Sequence, residues 1–282
     1  MSQNAKIVME AVRAADHDRY LTGLYAPADK RDALFSLYAF NAEIAGIRDR
    51  IHEALPGEVR LQWWRDVIDA GGEAGAGHPV AEALNATIAA FKLQKLAFEN
   101  MLEARIFDLY DDPMPSRTDL EGYCGETAAA LIQLAAMVLD SAEAPGFAEL
   151  AGRAGCAQTM TGLLLLLPLH RRRGQCFIPA DILAAAGSSP EEFVAGDGGS
   201  GAQRAVAAMI ALAREHLSAF ERGAAALPGS LRPAFLPLAL SRAYLDKMEG
   251  PRHAPLGGVA RLSALRRHWL LLRRAGKGWP KL

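Results

Sequence analysis

Apolar residues recur at spacings of three and four along most of the chain, the pattern of helices that bury one face. Leu37, Phe40, Ile44, Ile47 and Ile51 form one such stripe and predict a long helix from about Asp29 to Glu53. Phe98, Leu102, Ile106 and Leu109 predict another, ending near Pro113. Thr118 followed by Glu121 has the spacing of a capping box, in which a hydroxyl and a carboxylate satisfy each other's backbone donors, and predicts a helix from there to about Asp140. Further helices are expected over about Pro145–Leu167 and Pro237–Met248, with a short one capped by Ser189, Pro190 and Glu192. Val206, Met209, Ala213, Leu217 and Phe220 mark one more. No segment sustains the period-two alternation of a strand. The fold class expected is therefore all-α. Glycine-rich breaks at Gly71–Gly77 and Gly196–Gly201 are too short to separate domains, so residues 1–250 read as one helical domain and 251–282 as a C-terminal arm.

Composition agrees with a helical core: 51% of the 282 residues are hydrophobic and only 7% are aromatic. The segment Met1–Tyr20 is polar and mixed in charge, unlike a signal peptide. The longest charge-free apolar run, Ala154–Leu169, is interrupted by Pro168 and is shorter than the roughly 20 residues a spanning helix needs. Cys124, Cys156 and Cys176 have neither zinc spacing nor an even count, which favours free thiols over a disulfide framework.

Charge changes the picture more. The arm carries +8 and no acid, leaving −9 for the first 250 residues of a chain whose formal net charge is −1. A basic arm on an acidic body points to an anionic surface. Val259, Leu262, Leu265, Trp269 and Leu272 predict an apolar helical face there, flanked by Arg261, Arg266, Arg267, Arg273 and Arg274. The arm reads either as a contact with anionic membrane or as a covering helix of the core. No nucleic-acid motif accompanies the charge, so nucleic acid is not among the expected partners.

Candidate chemistry is sparse. Gly196, Gly198 and Gly201 match GxGxxG, but no strand precedes them, so a dinucleotide site fails its context test. The pairs Asp108/Asp112 and Asp49/Glu53 sit four apart and could share a helical face suited to Mg²⁺, although the first lies at a predicted helix C-terminus, where a solvated end is the simpler account. The run His170-Arg171-Arg172-Arg173 suits either an anion site or a basic surface loop.

Several segments together resemble the squalene/phytoene synthase family. They are Tyr20-Leu21 with Pro27, Lys30-Arg31 and Leu37-Tyr38-Ala39-Phe40; then Tyr123-Cys124; then Gly155-Cys156-Ala157 with Thr161; and finally Arg172-Arg173-Gly174 with Phe177-Ile178-Pro179-Ala180-Asp181. The resemblance implies an isoprenoid-synthase-like helical bundle around a central cavity. It also implies two DxxxD motifs whose carboxylates hold Mg²⁺ against a departing diphosphate. Here the first motif position is Ala45, only Asp49 remains of the pair, and Leu166 and His170 replace the second pair. If each lost ligand raised the barrier by about 3 kcal/mol, the rate would fall roughly a hundredfold per ligand. Glu43 lies six residues from Asp49, on another helical face, and does not restore the set.

The segment Pro168, His170, Arg171–Arg173, Phe177, Pro179, Asp181 and Ile182 is similar instead to the family's non-synthase branch, linked to assembly of respiratory NADH dehydrogenase (complex I). The expectation is a catalytically degenerate member without a resident metal or cofactor, acting in complex I assembly or binding an isoprenoid or lipid at a membrane surface. Its partners would be a complex I subunit or such a ligand. Its location would be the cytoplasm, with peripheral attachment to the inner membrane face left open. The alternative is an active Mg²⁺-dependent prenyltransferase joining two polyprenyl diphosphates. The family cavity would be lined by Tyr38, Asn41, Ala45, Tyr123, Thr161 and Leu165 or Leu166, with His170 and Arg171–Arg173 as its anion-binding candidates.

Overall fold

The computed structural model describes residues 3–51, 53–196, 198–250 and 256–280. The chain is 76% helical, and no strand occurs among the described residues. Its helices are α1 (Gln3–Ala15), α2 (His17–Gly23), α3 (Ala28–Ala45), α4 (Ala54–Ala70), α5 (Pro79–Phe91), α6 (Lys95–Ile106), α7 (Arg117–Cys124) and α8 (Ala130–Leu139). The C-terminal half adds α9 (Ala148–Leu165), α10 (Leu167–Arg172), α11 (Ala180–Ala185), α12 (Pro190–Ala195), α13 (Ser200–Ala224), α14 (Arg232–Phe235), α15 (Ser241–Met248) and α16 (Ala264–Lys277). The chain forms two compact units: Met1–Tyr110 with Ala130–Ala148 and Pro228–Pro237, and Asp111–Ala129 with Glu149–Leu227 and Leu238–Leu282.

In unit one, α3 is the hub, packing against α1, α5 and α8. Its burial explains its composition: Leu34, Phe35, Leu37, Phe40 and Ile44 are all inside. Phe40 meets Trp64 edge-on at 5.1 Å and Phe98 at 5.6 Å, so truncating it to alanine would cost about 3–5 kcal/mol. The predicted stripe is correct in its burial, since Ile47 and Ile51 are also inside, but the helix is shorter than expected. Gly46 caps α3 by donating to the Ala42 carbonyl, and the chain continues as a 3₁₀ turn, Arg48–Arg50. Glycine weakens a helix interior and suits its end.

In unit two, α13 buries Val206, Met209, Ala213, Leu217 and Phe220, the face its spacing predicts. The capping box at Ser189 and Glu192 forms as expected and opens α12. The other predicted box does not. Ser116, not Thr118, caps α7, its Oγ accepting from the Asp119 amide at 3.2 Å, and Glu121 is engaged elsewhere. Past Cys124 the helix loosens into a π turn, Gly125–Ala129. The run Arg117–Leu139 is long and apolar enough to cross a membrane, but 56% of its most apolar window is buried, as in a core helix. The backbone at Met114 pairs with Cys176 and Ala180, fixing the segment before α7 against the loop after α10.

The described part of the arm lies in unit two. α16 begins only at Ala264, capped by Ser263, so Val259 and Leu262 precede it rather than sharing its face. Leu262, Leu271 and Trp279 are buried, and Trp279 packs edge-on against Phe220 at 5.1 Å.

Candidate functional site

The residues singled out by sequence divide between the two units. In unit one, α3 carries Tyr38, Asn41 and Ala45. Tyr38 is buried, and its hydroxyl has no hydrogen-bond partner among the described residues. Burial pushes its ionisation up to about 12, with the Arg19 guanidinium opposing and the Asp16 carboxylate adding to the rise. A buried donor without a partner costs roughly 1–3 kcal/mol, which a bound polar group or water would recover. Asn41 accepts from Arg105 Nη2 at 3.5 Å. Arg105 also pairs with the buried Asp108 at 2.9 Å, so Asp108 is not the solvated helix end its position suggested. Asp108 lies on the 3₁₀ turn Phe107–Leu109 and Asp112 on non-helical chain, so the two share no helix face.

Ala45 is the last residue of α3, whereas Asp49 is exposed on the 3₁₀ turn Arg48–Arg50. The two positions of the first motif therefore do not project from one helical surface. Glu43 has a role that sequence spacing did not show. His78 Nδ1 accepts from the Ala81 amide at 3.3 Å, which leaves the Nε2 proton directed at Glu43 Oε2, 3.6 Å away. Burial raises the Glu43 carboxyl above its ordinary value, with His78 and Arg50 offsetting part of the rise. The His78 ring also lies 5.1 Å from Trp63 and 5.6 Å from Trp64, so this carboxylate serves a packed aromatic corner.

In unit two, Tyr123 is half-buried on α7, its ring 6.4 Å from Phe177. Thr161 is buried on α9, and its hydroxyl donates to its own helix at Ala157, 2.6 Å away. Leu165 ends α9, Leu166 is 45% exposed in the turn that follows, and Pro168 sits in the first turn of α10. The helix that would carry the second motif is thus broken at the motif itself, because proline suits a helix start and not its interior. His170 is buried, its ring 4.7 Å from Phe177.

Arg171 is committed to structure. Its Nε donates to the Phe193 carbonyl at 2.8 Å, Nη2 donates to the Gly196 carbonyl, and the guanidinium lies 5.4 Å over the Phe193 ring. It fastens α12 to α10. Arg172 is exposed and Arg173 half-buried.

Unit two also holds a polar cluster that sequence analysis missed. Arg117 Nε donates to Glu121 Oε1 at 2.8 Å, its Nη2 donates to Glu215 at 3.2 Å, and His216 Nε2 lies 3.0 Å from the same Glu121 oxygen. Burial alone would raise the Glu121 carboxyl, but the hydrogen bonds from Arg117 and His216 outweigh it and hold the group below its ordinary value. Beside it, Cys124 and Cys156 share a hydrogen bond. That bond, then burial, pushes Cys124 well above the usual thiol range, while the same bond lowers Cys156. All three cysteines are free and buried, as their number and spacing implied.

Magnesium demands several oxygen ligands in near-octahedral order. Unit one offers Asp49 on a turn, and unit two offers an exposed leucine and a histidine packed on an aromatic ring. Among the described residues, no group of three or more His, Cys, Asp or Glu side chains is placed to hold a metal ion. The groove of about 380 Å³ beside Lys30, Phe91, Lys92 and Asp140 in unit one contains none of the expected cavity residues.

The squalene/phytoene synthase profile matches residues 12–271. The chain belongs to the squalene/phytoene synthase family. Within that family it is 29% identical to bovine NADH dehydrogenase (ubiquinone) complex I assembly factor 6 over 247 residues, covering 86% of this chain and 72% of the relative. It is 28% identical to the presqualene diphosphate synthase of Sinorhizobium fredii over 180 residues, covering 62% and 64%. Among solved structures, a dehydrosqualene synthase in complex with ligand superposes with a TM-score of 0.82 at 17% identity, covering 96% of this chain and 95% of the other. The squalene synthase of Alicyclobacillus acidocaldarius gives 0.72 at 19%, covering 87% and 92%. The chain therefore has the helical fold of these synthases.

Proposed function

We infer that this chain is a squalene/phytoene synthase family member that does not release diphosphate and that acts in the assembly of respiratory complex I. The observation that carries the reading is the state of the second motif. Leu166 stands in a turn, Pro168 starts a new helix, and His170 is packed on Phe177 where a synthase needs two carboxylates on one helical face. Without metal neutralisation, a leaving group carrying about three negative charges has no adequate stabilisation. Similarity to complex I assembly factor 6 supports the biological half of the reading. An isoprenoid or lipid ligand is what the family resemblance favours, and the buried Tyr38 hydroxyl, without a hydrogen-bond partner among the described residues, would serve a polar group of such a ligand. Incubation with farnesyl or geranylgeranyl diphosphate and Mg²⁺ tests the first half of the reading. Diphosphate should stay at the level of a protein-free control. Release that depends on both protein and Mg²⁺ would establish a prenyltransferase instead.

A further inference from the structure

The helix α16 leaves one face without a partner in unit two. Leu265 is 82% exposed, Trp269 62% and Leu272 58%, whereas Leu271 on the inner side is only 1% exposed. At 3.6 residues per turn, the three outward side chains fall within about 60° of one another, and Arg266, Arg273 and Lys277, all exposed, line one flank of that stripe. The helix is held in this orientation. Leu262, Leu271 and Trp279 are buried, Trp279 packs on Phe220, and Lys247 Nζ donates to the Arg261 carbonyl just before the helix. Burying Leu271 while exposing a tryptophan and two leucines on the same helix fixes the stripe as a presented surface.

We propose that this stripe docks the protein on an anionic lipid bilayer, with Leu265, Trp269 and Leu272 entering the headgroup region and Arg266, Arg273 and Lys277 pairing with lipid phosphates. Charge and area choose this occupant. Among the described residues 256–280, six are Lys or Arg and none is Asp or Glu, so the helix and its flanks favour a negatively charged plane. The three side chains expose roughly 400 Å² together, about half of what one partner contributes to a stable protein interface. That area is ample for shallow insertion beside basic residues, and an amphipathic tryptophan suits the interface region. The proposal is independent of the chemistry at the motif positions, so its failure leaves the reading of that site untouched.

The test is sedimentation of the full chain with phosphatidylcholine vesicles, with and without phosphatidylglycerol, at low and high salt. The intact chain should bind only the anionic vesicles, and less at high salt. The combined Leu265→Ser, Trp269→Ser, Leu272→Ser variant should bind at least about tenfold more weakly. Combined Arg266→Gln, Arg273→Gln, Lys277→Gln should weaken binding by about fivefold per charge and flatten the salt dependence. Both variants alter exposed side chains, so their thermal midpoints should match the parent. No binding by the intact chain, or undiminished binding by the serine variant, would overturn the proposal. So would a dimer in sedimentation that the serine variant converts to monomer, since the stripe would then serve a second copy.

Discussion

A methyl group added at Gly155 reads how closely α9 approaches the π turn of unit two. An alanine Cβ there would lie 2.4 Å from the Ala129 amide nitrogen and 2.6 Å from Ala129 Cα, about 1 Å inside ordinary contact. Backbone atoms cannot rotate aside, so the overlap should cost toward the upper end of the roughly 1–3 kcal/mol typical of overpacking. Alanine's better helix propensity returns up to about 1 kcal/mol, leaving a net loss near 1–2 kcal/mol. Gly152, three residues earlier on the same helix, is the control, because nothing lies within 4 Å of its added Cβ. There only propensity acts, and Gly152→Ala should stabilise by about 0.5–1 kcal/mol. For a chain of this size each kcal/mol moves the thermal midpoint by roughly 2 °C. Thermal melts followed by circular dichroism should therefore show shifts of opposite sign for the two variants. If Gly155→Ala melted at or above the parent, α9 and the π turn would have room that this packing denies.

Other expectations follow from single contacts. Arg171→Ala should lose about 2 kcal/mol by leaving the Phe193 and Gly196 carbonyls without their donor, and Arg171→Lys should recover little of it, read in urea melts. Tyr38→Phe should leave the ligand-free protein as stable or about 1 kcal/mol more stable, since the lost hydroxyl has no partner among the described residues; a clear loss in the same melts would mean that it has one. Glu121 has a depressed folded-state ionisation, so its contribution is complete above its unfolded value of 4.5 and is lost as pH falls through the folded value. Glu121→Gln should flatten that acid-side slope, and an unchanged pH profile of the midpoint would exclude the pairing.

Helix faces were readable because burial follows spacing directly: Val206 to Phe220 on α13 and Leu37 to Ile44 on α3 are inside as their periods require. Helix ends were less readable. Ile47 and Ile51 continue the period of α3 and are buried, yet Gly46 stops the helix, so apolar spacing outlasted the hydrogen-bond ladder. Ser116 rather than Thr118 caps α7, and Glu121 pairs instead with Arg117 and with His216, the latter 95 residues away and invisible to any local rule. Neither an anion site nor a basic loop, the two readings the run at 170–173 offered, foretold the bonds of Arg171, because its carbonyl partners, 22 and 25 residues on, are set by tertiary packing. In the arm, the predicted stripe divides, with Leu262 buried and Val259, Leu265, Trp269 and Leu272 exposed, while Leu271, outside the stripe, is buried on the other side of α16. Family membership, by contrast, was legible without geometry, since motifs such as Leu37-Tyr38-Ala39-Phe40 and Phe177-Ile178-Pro179 need only residue identity and order, and the family profile matches residues 12–271.

The most direct test of the central claim is a comparison of cells that lack the chain with the same cells resupplied with it, measuring assembled complex I on native gels alongside total squalene and phytoene. The account predicts that assembled complex I falls without the chain and returns with it, while those isoprenoids do not change. Normal complex I together with lost squalene or phytoene would contradict it and identify the chain as a working synthase.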